Sequence, residues 1–291
     1  MDAVTSSPGS SPQRIVFIDV DGTILEHGVI APSTVAAIRR ARRNGHLVYL
    51  CTGRSAGDID PRVREIGVDG EITNGGAFAT RGGERLFAQP LDRADVDRLL
   101  AFFGAHGIHF FLQSDDAVFA SPGIGELTEE FFRVRREQHA ADLRASGSDL
   151  RAVEPVIRYR PLDEADLDAI AKAVFVSTTS DSLDVAQAEL GDRFHVVPGS
   201  IPMPGGSNGE IGLLGVNKGS AILRVLDVLG LDAADAVGIG DSWNDIEMFE
   251  VVGTAVAMGG ADPQLKALAG RVTTDVLDDG VRNALVELGL A

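Results

Sequence analysis

Two carboxylates close the apolar run Ile15-Val16-Phe17-Ile18-Asp19-Val20-Asp21-Gly22-Thr23. In an extended chain residues i and i+2 face one side, so Asp19 and Asp21 converge. Like charges held together are costly unless a cation or a shared proton relieves them. Further polar groups close other apolar runs. Thr52-Gly53-Arg54 follows "HLVYLC", and Asp241, Asn244 and Asp245 follow "AVGIG". Lys218 opens the helical pattern that precedes the latter run. Open α/β sheets bind ligands at the carboxyl ends of their strands, which gathers these residues. Oxygen donors with no His or Cys pair nearby select a hard cation, and partial coordination suits Mg²⁺ better than a full Ca²⁺ cage. A Mg²⁺ with open positions would bridge to a phosphate oxygen. A carboxylate facing that phosphate is a nucleophile able to form an aspartyl-phosphate. A second acid one pleat further on would protonate the leaving oxygen and then activate water. The Thr52 hydroxyl, the Gly53 amide, Lys218 and Asn244 would supply donors to the phosphoryl oxygens.

The elements that position these groups read as an α/β chain. "IVFI" and "HLVYLC" are buried strands flanking a helix over "APSTVAAIRRARRNG", with Ser33 as its expected N-cap and Asn44-Gly45 as its stop. Strand, helix and buried strand make the βαβ pattern of a parallel sheet. From about residue 86 the character changes. An amphipathic helix carries Val96, Leu99, Leu100 and Phe103, followed by short strands at "IHFFLQ" and "AVFA". A charged helical stretch spans 125–144, then a helix is expected near "LDEADLDAIAKA" and a strand at "VFVST". The parallel pattern returns near residue 210. The expected layout is a disordered tail at 1–13, a core at 14–85 and 195–291, and an inserted α+β cap at 86–194.

Composition narrows the function. The 291 residues are 44% hydrophobic, enough for a sizeable core, and the formal net charge is −17. That charge argues against nucleic-acid or anionic-membrane partners, which demand basic stripes. A small anionic substrate remains compatible, because local charge can oppose net charge. One Cys, Cys51, excludes an intramolecular disulfide and reads as a packed strand residue. The start has no apolar signal region, and no run approaches the roughly 20 apolar residues of a membrane span, so a cytoplasmic protein is expected. The oligomeric state is not readable.

"DVDGT", "CTGR", "NKG" and "GDSWND" resemble, in order, the four motifs of the haloacid dehalogenase (HAD) superfamily. "TNGGAF" and the block from "GDSWND" to "DDGV" are similar to its Cof-type phosphatase branch. The resemblance covers roughly 14–85 and 205–291, and implies a Rossmann-like core with a parallel sheet and an α/β cap. It implies Asp19 as nucleophile and Asp21 as general acid/base. It implies Mg²⁺ held by Asp19, the Asp21 backbone carbonyl and Asp241, with Asp245 nearby as a ligand or behind the ligands. Thr52, Gly53, Lys218 and Asn244 would grip the phosphate.

The leading expectation is a Mg²⁺-dependent phosphatase acting on a small phosphorylated metabolite, such as a sugar phosphate. A phosphomutase or phosphotransferase uses the same core and differs only in the acceptor. A non-catalytic phosphate sensor is disfavoured because every chemical group is present. Beside the site, Arg54 is open between capping a carboxylate, helping to hold the substrate and a surface salt bridge. Trp243 reads as a loop anchor in preference to a rim aromatic. The His residues, His27 included, form no metal pair, and Arg133, Arg135 and Arg136 read as a solvated helix face.

Overall fold

The apolar run that carries the paired acids forms β1 (Ile15–Ile18), buried at every residue. It lies within an eight-stranded sheet of the computed structural model, which describes residues 12–129, 133, 137, 159–199 and 206–291. After β1 come the two short strands β2 (Leu25–Glu26) and β3 (Val29–Ile30), paired with each other, and then helix α1 (Pro32–Arg43). β4 (Leu47–Cys51), helix α2 (Pro61–Glu65) and β5 (Gly70–Thr73) follow, then β6 (Phe78–Arg81) and β7 (Glu84–Ala88).

The intervening chain builds a second sheet. It supplies helix α3 (Arg93–His106), β8 (His109–Gln113), β9 (Val118–Ala120), β10 (Tyr159–Pro161), β11 (Lys172–Ser177), helix α4 (Ser182–Leu190), β12 (Phe194–Pro198) and β13 (Ser207–Leu213). Helix α5 (Lys218–Leu229), β14 (Ala236–Gly240), helix α6 (Ile246–Val251), β15 (Thr254–Ala257), helix α7 (Pro263–Leu268), β16 (Arg271–Val272) and helix α8 (Gly280–Glu287) complete the first layer.

The first sheet runs β16-β15-β14-β1-β4-β5-β6-β7, parallel through β5 and antiparallel in its last two strands. The chain first winds outward from β1 through β4 and β5, then returns on the other side through β14. Strand order therefore reverses between β1 and β14, where a ligand crevice is expected. Register sets Ile18 against Ile239, so Asp19 and Asp241 leave neighbouring strand ends together. The second sheet runs β10-β9-β8-β11-β13-β12 and is antiparallel except for the β9–β10 pair. One of its faces packs Phe110, Ala173, Phe175 and Ile211 against α3 and α4, with Phe103 and Phe110 stacked at 4.4 Å.

Several elements differ from the sequence expectation. α1 is capped by Ala31 with Pro32 in its first turn, where a proline has no N–H to lose. Ser33 sits inside the helix and its hydroxyl donates to Asp279. "LDEADLDAIAKA" is not a helix: a single turn at Leu162–Glu164 gives way to β11, which begins at Lys172. Its backbone is claimed from outside, since Leu91 N–H donates to Ile170 at 2.7 Å and Ala171 N–H donates to Gln113 at 2.8 Å. Tertiary pairing overrides local propensity there. β7 joins the first sheet through residue 88, whereas position 195, the expected return to the core, falls within β12 of the second sheet. Residues 1–11 of the expected tail, most of 125–144, and Arg135 and Arg136 lie outside the described residues. Arg133 pairs with Glu137 one helical turn on.

Among the described residues the two layers meet at several places. Ala77, Phe78, Ala171 and Val216 cluster where the chain crosses between them. The β8–β9 turn touches the first layer through Asp115, whose carboxylate accepts from Thr73 and pairs with Arg85. The Asp115 backbone carbonyl accepts from Gly57 N–H at 3.3 Å. No described helix is long and apolar enough to cross a membrane.

Phe17 is fully buried in β1, with its ring 5.7 Å from that of Tyr49. Phe17→Ala is expected to cost about 3–5 kcal/mol of stability. Urea unfolding checks this as a lowered midpoint with an unchanged slope.

Candidate active site

The site begins with a lysine in an unfavourable place. Lys218 is the first residue of α5, the positive end of the helix, and its side chain is 1% exposed. The helix start is fixed by Asn217, whose side chain accepts from Ser220 N–H at 2.8 Å while the Ser220 hydroxyl accepts from Asn217 N–H. Gly219 lets α5 approach α6 closely, because a Cβ there would lie 2.2 Å from the Glu247 carbonyl oxygen. From this position Lys218 Nζ donates to Asp19 Oδ1 at 2.7 Å, Asp245 Oδ1 at 2.6 Å and Asn244 Oδ1 at 3.0 Å.

Asp19, Asp241 and Asp245 bring carboxylate oxygens within 4.8 Å of one another. Three carboxylates face one ammonium, which leaves two negative charges uncompensated. Burial lifts the Asp19 carboxyl well above its ordinary range; Lys218 pulls it down while Asp245 and Asp241 push it up. Burial, then Asp245, push Asp241 up to about 7. Burial works against the charge of Lys218, but Asp19 and Asp245 raise its pKa above the usual lysine value. An all-oxygen cluster with this excess charge fits a hard divalent cation.

Each acid has a different degree of freedom. Asp245 is fully buried and committed: Oδ1 holds Lys218, and Oδ2 accepts from the Asp241 and Ser242 amides at 3.0 and 3.2 Å. Asp241 accepts a long contact from the Thr23 hydroxyl at 3.5 Å. Gly22 allows that approach, having a φ of +75° and a Cβ position 2.2 Å from Asp241 Oδ2. Asp21 is placed apart from this cluster. Its carboxylate is half exposed and held by both ends of Arg54, at 2.6 Å from Nε and 2.7 Å from Nη2.

Of the residues singled out in the sequence, Asp19, Asp241, Asp245, Lys218 and Asn244 are thus brought together directly. Thr52 is buried directly after β4, and the Cβ position of Gly53 is 3.8 Å from Asn244 Nδ2. Arg54 binds the Asp21 carboxylate through two of its nitrogens, which fits both the cap and the salt-bridge reading. Cys51 is buried and its thiol is pushed far up by burial, in keeping with a packed strand residue. Trp243, expected as a loop anchor, is 53% exposed. His27 lies in the exposed β2–β3 turn with a φ of +48°.

Two groups escaped the sequence reading. Thr23 was visible in "DVDGT" but carried no assigned role. Lys172, on β11, lies close to Gly53: its Nζ is 3.8 Å from the Gly53 Cβ position. The alternation of "KAVFVS" was the signal, concealed by the helix expected across it.

The raised carboxyls set a pH dependence. A carboxyl whose folded pKa lies above its unfolded value favours folding at low pH and loses that contribution as pH climbs through the folded pKa, here from about 4 to about 7 for Asp241. A divalent cation must displace those protons at low pH and meets bare carboxylates at high pH. The rise in Tm on adding MgCl₂ is therefore expected to be larger at pH 8 than at pH 5. Calorimetric scans with and without the salt measure it.

Comparison with known proteins agrees with this geometry. The Bacillus subtilis protein YkrA is 30% identical over 95% of this chain and 98% of its own length. A second Bacillus subtilis protein, the 5-amino-6-(5-phospho-D-ribitylamino)uracil phosphatase YwtE, is 29% identical over 92% of this chain and 95% of its own. The crystal structure of a Geobacillus kaustophilus protein superposes with a TM-score of 0.77 at 25% identity, covering 96% of this chain and all of that one. The sequence pattern of one family matches residues 16–285, which include all the acids, Lys218 and both sheets, and by that match the chain belongs to the haloacid dehalogenase-like hydrolases.

Proposed function

We propose that this protein is a Mg²⁺-dependent phosphatase that hydrolyses a small-molecule phosphomonoester through an aspartyl-phosphate on Asp19. The observation that carries this reading is the Lys218 ammonium, bonded at once to Asp19, Asp245 and Asn244 beside the uncompensated Asp241. The carboxylates of Asp19 and Asp241 and the backbone carbonyl of Asp21 would hold the metal ion, with Asp245 supporting them from behind. When bound, the ion would neutralise charge on the phosphoryl oxygens.

The chain's own residues supply the remaining steps. Lys218 fixes Asp19 through Oδ1, which leaves Oδ2 to attack phosphorus. The Asp19 Oδ2–P bond forms as the P–O ester bond breaks, and Asp21 delivers a proton to the leaving oxygen. Water then attacks the phosphorus of the aspartyl-phosphate, Asp21 takes a proton from it, and the Oδ2–P bond breaks to release phosphate. Thr52, the Gly53 amide, Asn244 and Lys218 supply donors as charge redistributes on the phosphoryl oxygens. Asp21 must leave Arg54 to act. The Asp21 side chain is half exposed, so water can take over its hydrogen bonds as Arg54 lets go. The second sheet would cover the leaving group and exclude bulk water during the reaction. The relatives named above include a phosphatase of a phosphorylated ribityl compound, which supports a small hydroxylated ester as the substrate class.

Release of inorganic phosphate from a panel of phosphomonoesters with MgCl₂ tests the reading. Asp19→Asn is expected to reduce turnover to background. Asp21→Asn is expected to lower kcat by about 10²–10⁴ while the protein still binds inorganic phosphate. EDTA is expected to stop turnover, and added Mg²⁺ to restore it. Equal phosphate release by Asp19→Asn and wild type would refute the assignment. Conversion of a sugar phosphate to its isomer without free phosphate would identify a mutase instead.

A further inference from the structure

The second sheet turns one face to its own helices and the other towards the core site. Side chains alternate along a strand, so in β11 Ala173 and Phe175 enter the helix-covered core while Lys172 points the opposite way. Its Nζ comes to the lip of the phosphate loop, 3.8 Å from the Gly53 Cβ position; Asn244 Nδ2 stands at the same distance from that point. In the register of β11 and β13, Gly212 lies opposite Lys172 and Glu210 lies opposite Val174. Glu210 therefore shares the face of Lys172 one pair further along. Lys172 Nζ donates to Glu210 Oε2 at 2.7 Å.

This ion pair has unused capacity. An ammonium carries three donors, and among the described residues Lys172 spends one, although its side chain is only 10% exposed. Glu210 is 38% exposed, and its Oε1 carries no hydrogen bond among the described residues. Beside the pair, Gly212 leaves open space where any other residue would place a side chain. On the other flank Gln113, the β8 partner of Lys172, has a buried side-chain oxygen without a donor. Sheet stability alone does not explain such a pair, since taking the lysine out of water offsets much of what the contact gains. Lys172 also keeps the Glu210 carboxyl below its usual range, with a smaller contribution from Lys218 across the cleft.

We infer that Lys172 and Glu210 form a subsite that recognises a polyhydroxyl leaving group, a sugar or polyol ester, by donating to one hydroxyl and accepting from its neighbour. The inference rests on the phosphatase reading above and names its substrate class. A hydroxyl both donates and accepts, so adjacent hydroxyls satisfy the ammonium and the carboxylate without adding charge. An anionic leaving group would meet Glu210, a cationic one would meet Lys172, and an apolar ring would desolvate both without replacing their bonds to water.

The test compares erythrose 4-phosphate, glucose 6-phosphate and glycerol 3-phosphate with p-nitrophenyl phosphate, all with MgCl₂. Wild type is expected to favour at least one hydroxylated ester in kcat/KM. In Lys172→Met and Glu210→Gln the ratio of kcat/KM for that ester over the aryl ester is expected to fall by about tenfold to a hundredfold, chiefly through KM. Lys172→Arg is expected to recover part of the ratio. Gly212→Leu, which fills the open space without touching either charge, is expected to raise KM for glucose 6-phosphate more than for glycerol 3-phosphate. Ratios that stay constant while all rates fall together would make the pair structural and overturn the inference. A wild type that prefers the aryl ester over all three would overturn it too, while leaving the phosphatase reading intact. Release of phosphate from none of the four would overturn both.

Discussion

A single buried ammonium organises this molecule's chemistry. Lys218 sits where both burial and the helix dipole oppose a positive charge, and it is held there by Asp19 and Asp245. Those acids in turn are tolerable only because the lysine is present. Removing one member of such a group leaves an uncompensated buried charge, a loss of about 3–5 kcal/mol. The arrangement fixes one oxygen of Asp19 and leaves the other available. It also leaves Asp241 crowded by Asp245 with no cation of its own. The orientation of Asp19 and the attraction for a divalent ion thus have the same electrostatic origin.

Arg54 forms a second centre of order on the other side of the cleft. It holds the Asp21 carboxylate by two hydrogen bonds and the Asp58 carbonyl by a third, at 3.0 Å. Gly57, in the same loop, bonds the Asp115 carbonyl of the β8–β9 turn. The loop after β4 therefore touches the general acid/base candidate at one end and the second sheet at the other. Asp21 is half exposed and clasped by Arg54, whereas Asp19 is buried against Lys218.

The core was legible in the sequence because its chemistry is local. Each motif sits at the end of one apolar strand, and a parallel sheet brings such ends together without detailed knowledge of packing. Asp19, Thr52, Asn244 and Asp241 were read in this way, and Lys218 from the helical pattern that it opens. The second sheet resisted the same reading because its information is non-local. Residues 162–173 have polar and apolar spacing that suits a helix, yet Ile170 and Ala171 give their backbone groups to the segment before α3 and to β8. That misreading hid Lys172, whose position depends on strand alternation and on register with β13. Ser33 failed as a cap for a similar reason: Asp279, distant in sequence, takes its hydroxyl. Nor does the sequence announce the Asp21–Arg54 clasp, which depends on how two loops 33 residues apart meet.

The cluster of Ala77, Phe78, Ala171 and Val216 joins the two layers, and Val216 is only two residues from Lys218. The stretch that leads into α5 is therefore packed against residues of both layers, and the lysine that orients Asp19 emerges two residues beyond that seam. A bulkier side chain at Ala171 would press on the same stretch, so a change in the upper layer would be felt at the ammonium below.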